Sequence, residues 1–248
     1  MVVNFLIVGT QKGGTTALAH FLSEHPDICF APSKEVHFFD YDRHYSLGID
    51  YYHSFFPNYT NQTAVGEATP IYMYLPHVPE RIYCYNPHMK LIVLLRNPID
   101  RAYSQYQMEL KRGWETLPFS LAIALEPLRL LFSSSVENER SARRVHSYCD
   151  RGNYVKQLKL LDRYFPKEQV LILLQQDLEQ NHQQTLERVY NFLGVSVPVN
   201  FPACQKVLAG EYQPLPPEIK LSLIKRFTPE ILHLQQLIDR DLHSWLQL

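Results

Sequence analysis

Phe5-Leu6-Ile7-Val8-Gly9-Thr10-Gln11-Lys12-Gly13-Gly14-Thr15-Thr16 is the stretch that decides the fold. Four apolar residues run into a glycine-rich loop. A helical pattern follows, with Leu18, Phe21, Leu22 and His25 spaced i, i+3, i+4, i+7. A strand, then a glycine-rich loop, then a helix start is how a chain holds a phosphate. Loop amides point inward, and the helix N-terminus adds partial positive charge. The loop comes close to the nucleoside-triphosphate pattern G-x-x-x-x-G-K-[ST]. Gly9 and Gly14 fit it, but Thr15 stands where the lysine belongs, and the lysine is Lys12. The phosphate cradle is kept and the usual triphosphate grip is not.

Working outward, short apolar runs at Phe5–Val8, Leu91–Leu95 and Val170–Leu174 read as buried parallel strands. Weaker strands are expected at Ala64–Glu67 and near Ile28–Phe30. Helical patterns alternate with them. Tyr154, Leu158, Leu161 and Phe165 share one face, as do Leu186, Val189, Tyr190 and Leu193, and Gly194 is a natural stop. This alternation predicts an α/β fold, a single domain over residues 1–248 with a central, mostly parallel β-sheet flanked by helices. After Pro214, Pro216 and Pro217, a helical stretch over Glu218–Leu248 is expected as a cap, with Ile231, Leu234 and Ile238 as its apolar stripe. Ligands of such sheets sit beyond the carboxyl ends of the strands.

A length of 248 residues suffices for a large core, and 46% hydrophobic with 20% charged residues is ordinary for a globular protein. The net charge of −1 argues against broad binding to nucleic acid or anionic membrane. No stretch approaches the roughly 18 apolar residues of a membrane span, and no signal peptide is evident, so a cytoplasmic protein is expected. Cys29, Cys84, Cys149 and Cys204 are far apart and form no C-x-x-C pair, so they read as reduced, packing cysteines. The eleven histidines are scattered without an H-E-x-x-H or H-x-H pattern, and no metal site is expected. No G-x-S-x-G elbow supports a serine hydrolase.

Further segments carry candidate chemistry. Leu91–Leu95 ends in Arg96-Asn97-Pro98. A P-loop enzyme often has a magnesium-binding Asp at such a strand end. Here a guanidinium stands at the ligand edge, suited to bidentate phosphate binding. Pro98 suits a helix start, and Ser104 lies about two turns into that helix, where its hydroxyl could reach the same phosphate. The alternative is a pair between Arg96 and a carboxylate such as Asp100. In Lys34-Glu35-Val36-His37-Phe38-Phe39-Asp40, an extended backbone would point Glu35 and His37 the same way. That pair reads as a general base with an assisting imidazole, or as a structural hydrogen-bonded pair. Gly66-Glu67-Ala68-Thr69-Pro70 lines a pocket or forms a strand-end turn. Between Arg140 and Arg163 there are seven Lys/Arg and two Asp, a docking surface for an anionic acceptor or a solvated helix face.

Taken together and in this order, these segments resemble the sulfotransferases that use 3′-phosphoadenosine 5′-phosphosulfate (PAPS), in the branch containing heparan sulfate sulfotransferases and their bacterial relatives. Gln11-Lys12-Gly13-Gly14-Thr15-Thr16 is similar to that family's 5′-phosphosulfate loop. Leu94-Leu95-Arg96-Asn97-Pro98-Ile99-Asp100-Arg101-Ala102-Tyr103-Ser104 resembles its 3′-phosphate segment, and Glu35-Val36-His37-Phe38-Phe39 its catalytic segment. Gly66–Pro70 and Gly210-Glu211-Tyr212 also have counterparts. The resemblance implies a metal-free transfer from PAPS to a hydroxyl, leaving 3′,5′-adenosine bisphosphate (PAP). Lys12, Glu35 and His37 would be catalytic. Gln11, Lys12, Gly13, Gly14, Thr15, Thr16, Arg96 and Ser104 would bind the nucleotide. The branch often has a lysine where Ala68 stands and a Lys-Gly-Arg-like run where Ala209-Gly210-Glu211 stands, with Lys206 nearby. A carbohydrate hydroxyl is the implied acceptor, ahead of a lipid or small metabolite. The loops Tyr41–Phe56 and Trp114–Arg144 are candidates for its pocket, and Tyr45, Tyr51, Tyr52, Phe55 and Phe56 line it or form core. The competing readings are a P-loop kinase of a small molecule or nucleotide, needing ATP and magnesium, and a nucleotide-binding protein without catalysis.

Overall fold

The computed structural model describes residues 1–133, 135–203 and 213–248. Cys204, Lys206 and the Ala209–Tyr212 segment singled out above lie outside the described residues. The first half of the chain runs β1 (Phe5–Gly9), α1 (Thr15–Ser23), β2 (Ile28–Phe30), α2 (Asp42–Tyr45), α3 (Gly48–His53), β3 (Ala64–Ala68), α4 (Val78–Tyr85) and β4 (Lys90–Leu95). It continues with α5 (Pro98–Lys111), α6 (Phe119–Leu131), α7 (Ala142–Val145), α8 (Tyr154–Leu161), β5 (Val170–Leu174), α9 (Gln175–Gln180), α10 (His182–Leu193) and α11 (Pro217–Ile238). The described residues gather into two compact units, those of Met1–Arg96 with Leu160–Ala209 and those of Asn97–Lys159 with Gly210–Leu248.

The first unit holds the sheet, a five-stranded parallel sheet in the order β2-β3-β1-β4-β5. All five strands foreseen in the sequence form, each within a residue or so of its expected ends. β1 and β4 read as apolar runs because they are buried on both faces, whereas β3, equally buried, carries Gly66 and Glu67 within it. In the core, Leu18, Phe21 and Leu22 of α1 pack with Phe5, Ile7, Ile92 and Leu94 of the strands, and with Leu186, Val189, Tyr190 and Leu193 of α10. Gly194 ends α10 at φ 79°, and its amide donates to the Tyr190 carbonyl at 2.9 Å. Glycine at that place takes the left-handed conformation at little cost. In this order β1 lies between β3 and β4, and the connection from β1 leaves toward β2 whereas that from its neighbour β4 leaves the opposite way toward β5. That is the switch point where a parallel sheet opens a crevice at its carboxyl edge.

The second unit is helical. Asn97 caps α5 by accepting from the Ile99 amide at 3.0 Å, and Pro98 occupies the first turn. Polar side chains fill much of its interior. Fully buried Arg101 donates to Gln105 Oε1 at 2.9 Å and to the Tyr148 carbonyl. Arg151, also buried, donates to Ser147 Oγ at 2.7 Å and to the carbonyls of Arg143 and Arg144 at 2.9 and 2.8 Å. The run between Arg140 and Arg163 is therefore not a uniform docking or solvated face. Arg144 and Arg151 are buried, where donation to the Val136 carbonyl and to the carbonyls of α7 respectively offsets the cost of removing a guanidinium from water.

Two further expectations change. The C-terminal helix stops at Ile238 instead of running to Leu248. Asp239 takes a left-handed conformation (φ 51°), and only a short 3-10 turn, His243–Leu246, follows. Cys29 and Cys149 are buried, as packing cysteines should be, but Cys84 is exposed. Among the described residues, no helix is long and apolar enough to cross a membrane, and no cluster of His, Cys, Asp and Glu could hold a metal ion.

Candidate active site

The candidate residues follow the ends of four strands of the first unit, β1, β2, β3 and β4. At the end of β1 the ladder with β4 slips, from Ile7 opposite Ile92 to Gly9 opposite Val93. The extra residue turns the chain out of the sheet into the loop. The loop is pinned by the Thr10 amide, which donates to the Leu94 carbonyl at 3.0 Å, and by the Gly13 amide, which donates to the Thr10 carbonyl at 2.9 Å. A Cβ on Gly13 would stand 2.4 Å from the Leu94 carbonyl oxygen, so only glycine allows this approach. Gly14, at φ 95°, is the N-cap of α1. Its cap carries no side-chain hydrogen bond, and the first helical turn holds no acidic residue. A helix start left open in this way, beside a loop that a Cβ would fill, fits a bound phosphate group. Thr15 is buried, whereas Gln11, Lys12 and Thr16 are part-exposed.

Arg96 stands at the end of β4. Its guanidinium donates to the Lys12 carbonyl at 3.1 Å. The strand-end arginine thus touches the backbone of the loop that carries Lys12. Lys12 itself is in the left-handed region, at φ 66°. Ser104 lies in α5, in the second unit, with its side chain buried.

The Glu35–His37 segment differs from its expected geometry. An extended backbone would have aligned the two side chains. Instead both residues adopt left-handed φ values, 60° and 55°. The pair still forms: His37 Nε2 lies 3.5 Å from Glu35 Oε2. The backbone departs from strand geometry because its amides are taken by the segment after β3. The Glu35 amide donates to the Ala68 carbonyl at 3.1 Å, and the His37 amide to Thr69 Oγ1 at 3.4 Å. The Phe38 and Phe39 amides donate to the Tyr72 hydroxyl at 2.9 and 3.4 Å.

Electrostatics sharpen the site. Fully buried Asp40 places Oδ2 2.9 Å from His37 Nδ1, so the imidazole lies between two carboxylates. Burial lowers the basicity of His37, but hydrogen bonds to Asp40 and Glu35, with their charges, more than reverse this and raise its pKa to about 9. At neutral pH His37 is an imidazolium. Lys34 Nζ stands 3.6 Å from Glu35 Oε1. Beneath the turn, Glu67 is fully buried. Desolvation raises its pKa to about 7, against hydrogen bonds to Thr69 and Tyr72 that favour the carboxylate. Asp40 was within reach of sequence reading, three residues after His37. Tyr72 carried no local signal, since its role depends on where β3 leads the chain.

Of the aromatic residues in the first candidate loop, Tyr52 and Phe56 are core, while Tyr45, Tyr51 and Phe55 are part-exposed. The rings of His37, Tyr41, His44, Tyr51 and Phe55 form a chain, with successive centroids 5.5, 5.2, 5.8 and 5.2 Å apart, Tyr41 being buried and the others partly so.

A parallel sheet with a glycine-rich loop at its switch point is an α/β architecture that fits a phosphate-bearing ligand. Comparison makes the class specific. The sulfotransferase domain family matches residues 3–208, and the chain belongs to that family. The crystal structure of a sulfotransferase from Alicyclobacillus acidocaldarius superposes with a TM-score of 0.85 at 31% identity, covering 100% of both chains. Human bifunctional heparan sulfate N-deacetylase/N-sulfotransferase 2 is 31% identical over 98% of this chain and 30% of its own length. Human heparan sulfate glucosamine 3-O-sulfotransferase 6 is 36% identical over 77% of this chain and 52% of its own. The chain thus spans about half or less of these two curated relatives.

Proposed function

We propose that the protein transfers a sulfuryl group from PAPS to a hydroxyl of a carbohydrate acceptor. The observation that carries this reading is the junction of β1 and β4. There an open glycine-rich loop bears Lys12, and a strand-end arginine touches it. A triphosphate-binding loop would place its lysine after Gly14 and commonly an acid at the strand end. A lysine earlier in the loop and an arginine at the strand end support a nucleotide with a 5′-phosphosulfate and a separate 3′-phosphate. Gln11, Lys12, Gly13, Gly14, Thr15 and Thr16 hold the phosphosulfate, and Arg96 holds the 3′-phosphate. Ser104 joins Arg96 on the strength of the sequence motif.

PAPS supplies the sulfuryl group, whose bond to the acceptor oxygen forms as its bond to the 5′-phosphate oxygen breaks. Glu35 takes the acceptor proton. His37 already carries a proton at neutral pH, so it serves as a charged donor beside the base and is not the base itself. Asp40 and Glu35 hold that imidazolium in place. Lys12 neutralises charge developing on the departing phosphate oxygen, the electrostatic contribution that usually dominates such reactions. Both human relatives are named for heparan sulfate, which favours a carbohydrate acceptor.

The test is transfer of labelled sulfate from PAPS to desulfated heparan sulfate oligosaccharides, with a long-chain alcohol as the lipid comparator. Label is expected in the oligosaccharide. Label in the alcohol alone would overturn the acceptor class, and label in neither, with PAP binding intact, would overturn carbohydrate transfer.

A further inference from the structure

Glu67 is a carboxyl group with no solvent exposure at the end of β3, and neither the phosphate loop nor the base requires it. A buried carboxylate is costly unless it is hydrogen-bonded or paired. Its oxygen Oε2 accepts from Thr69 Oγ1 at 2.7 Å, and Tyr72 is its second hydrogen-bonding partner. Each of these hydroxyls has one proton to give. Given to Glu67, it leaves the hydroxyl oxygen as an acceptor. Those two oxygens are what the turn amides use: His37 binds Thr69, and Phe38 and Phe39 bind Tyr72. The turn needs such support because Glu35 and His37 both hold left-handed φ values without being glycine.

We propose that Glu67 is a positioning residue. Through the hydroxyls of Thr69 and Tyr72, its buried carboxylate fixes the amides of His37, Phe38 and Phe39 and so sets the aim of Glu35 and His37. The role in aiming rests on the sulfuryl-transfer reading, whereas the fixing of the amides does not. Tyr52 from α3, Tyr72 after β3, and His37 and Asp40 from the turn all face Glu67 electrostatically. Protonating Glu67 would let it compete for the hydroxyls as a donor and loosen the turn.

The experiment compares the full chain with Glu67→Gln and Tyr72→Phe. Hydrogen exchange by NMR is read at the amides of His37, Phe38 and Phe39, with those of β1 and β4 as reference. About tenfold or faster exchange is expected at the turn alone, the size of losing one net hydrogen bond. PAP affinity should be unchanged. Where the wild type transfers sulfate, kcat should fall about tenfold or more with KM for PAPS constant, and the dependence on a group titrating near pH 7 should disappear in Glu67→Gln. Unchanged exchange at the turn in both variants, or equal acceleration in β1 and β4, would overturn the proposal. A wild type that binds no PAP would defeat the sulfotransferase reading, while the exchange data would still judge the role of Glu67 in holding the turn.

Discussion

The loop after β1 and the turn that follows β2 both depart from ordinary backbone geometry at the same edge of the sheet, but by different means. In the loop, glycine removes the obstacle: Gly13 approaches the Leu94 carbonyl where no Cβ fits, and Gly14 takes φ 95°. In the turn, Glu35 and His37 keep their side chains and hold φ values of 60° and 55°. A left-handed non-glycine residue costs roughly 1–2 kcal/mol, and hydrogen bonds from the turn amides to Ala68, Thr69 and Tyr72 offset it. The loop has one left-handed residue with a side chain, Lys12 at φ 66°, and leans on the Leu94 carbonyl, but glycine makes most of its geometry. Geometry made by neighbours depends on a second segment being correct.

The largest effect should come from the turn. Glu35→Gln should lower kcat by roughly 10²–10⁴ while leaving PAP affinity nearly intact, because the general base acts only on the acceptor proton. Full activity in Glu35→Gln with loss in His37→Ala would reverse the assignment of base and assistant. Next comes the strand-end cation. Arg96→Ala should weaken PAP binding roughly 10–100-fold, the size of a lost charge-assisted hydrogen bond, as read by calorimetric titration. An unchanged Kd would remove Arg96 from the nucleotide site. Gly13→Ala should weaken PAP about tenfold and destabilise the fold by about 1–3 kcal/mol, since the loop must leave Leu94 to admit the methyl group. Equal PAP affinity in that variant would mean that the close approach does not shape the cradle.

The smallest effect is on stability against pH. His37 has a folded pKa of about 9, above its ordinary 6.5. Its contribution is therefore fully present below pH 6.5 and is lost as pH rises through about 9. Partial exposure limits it to on the order of 1 kcal/mol. Denaturant unfolding of the wild type against His37→Asn at pH 6 and pH 9.5 measures it. The gap between the two proteins should shrink at the higher pH, and a constant gap would show that the imidazolium is not held by its carboxylates.

The contrast between loop and turn also marks how far the sequence could be read. β1, β4 and β5 were legible because a buried parallel strand favours an apolar run, β3 less so because Glu67 interrupts it, and the loop was legible because glycine and lysine stand at fixed offsets. Arg96 was legible as a cation at a strand end. The pairing of Glu35 with His37 was anticipated, but through an extended backbone that does not form. What produces it lies about 30 residues on, in Thr69 and Tyr72, and a parallel sheet brings those segments together only in three dimensions. Arg144 and Arg151 were misread for a similar reason. Their charge suggests surface, and only the carbonyls they meet, of Val136 and of α7, explain their burial. The end of α11 at Asp239 is set by a left-handed cap on a residue other than glycine, which carries no sequence signal of its own.

The most direct test of the central claim is thermal stability with PAP against ADP and ATP, each with and without magnesium. At a ligand concentration of about 100 times Kd, binding adds about 2.7 kcal/mol, roughly 5–10 °C for a chain of this size. A shift with PAP that does not depend on magnesium is the predicted result. A shift only with ATP and magnesium would contradict it and make the chain a P-loop kinase.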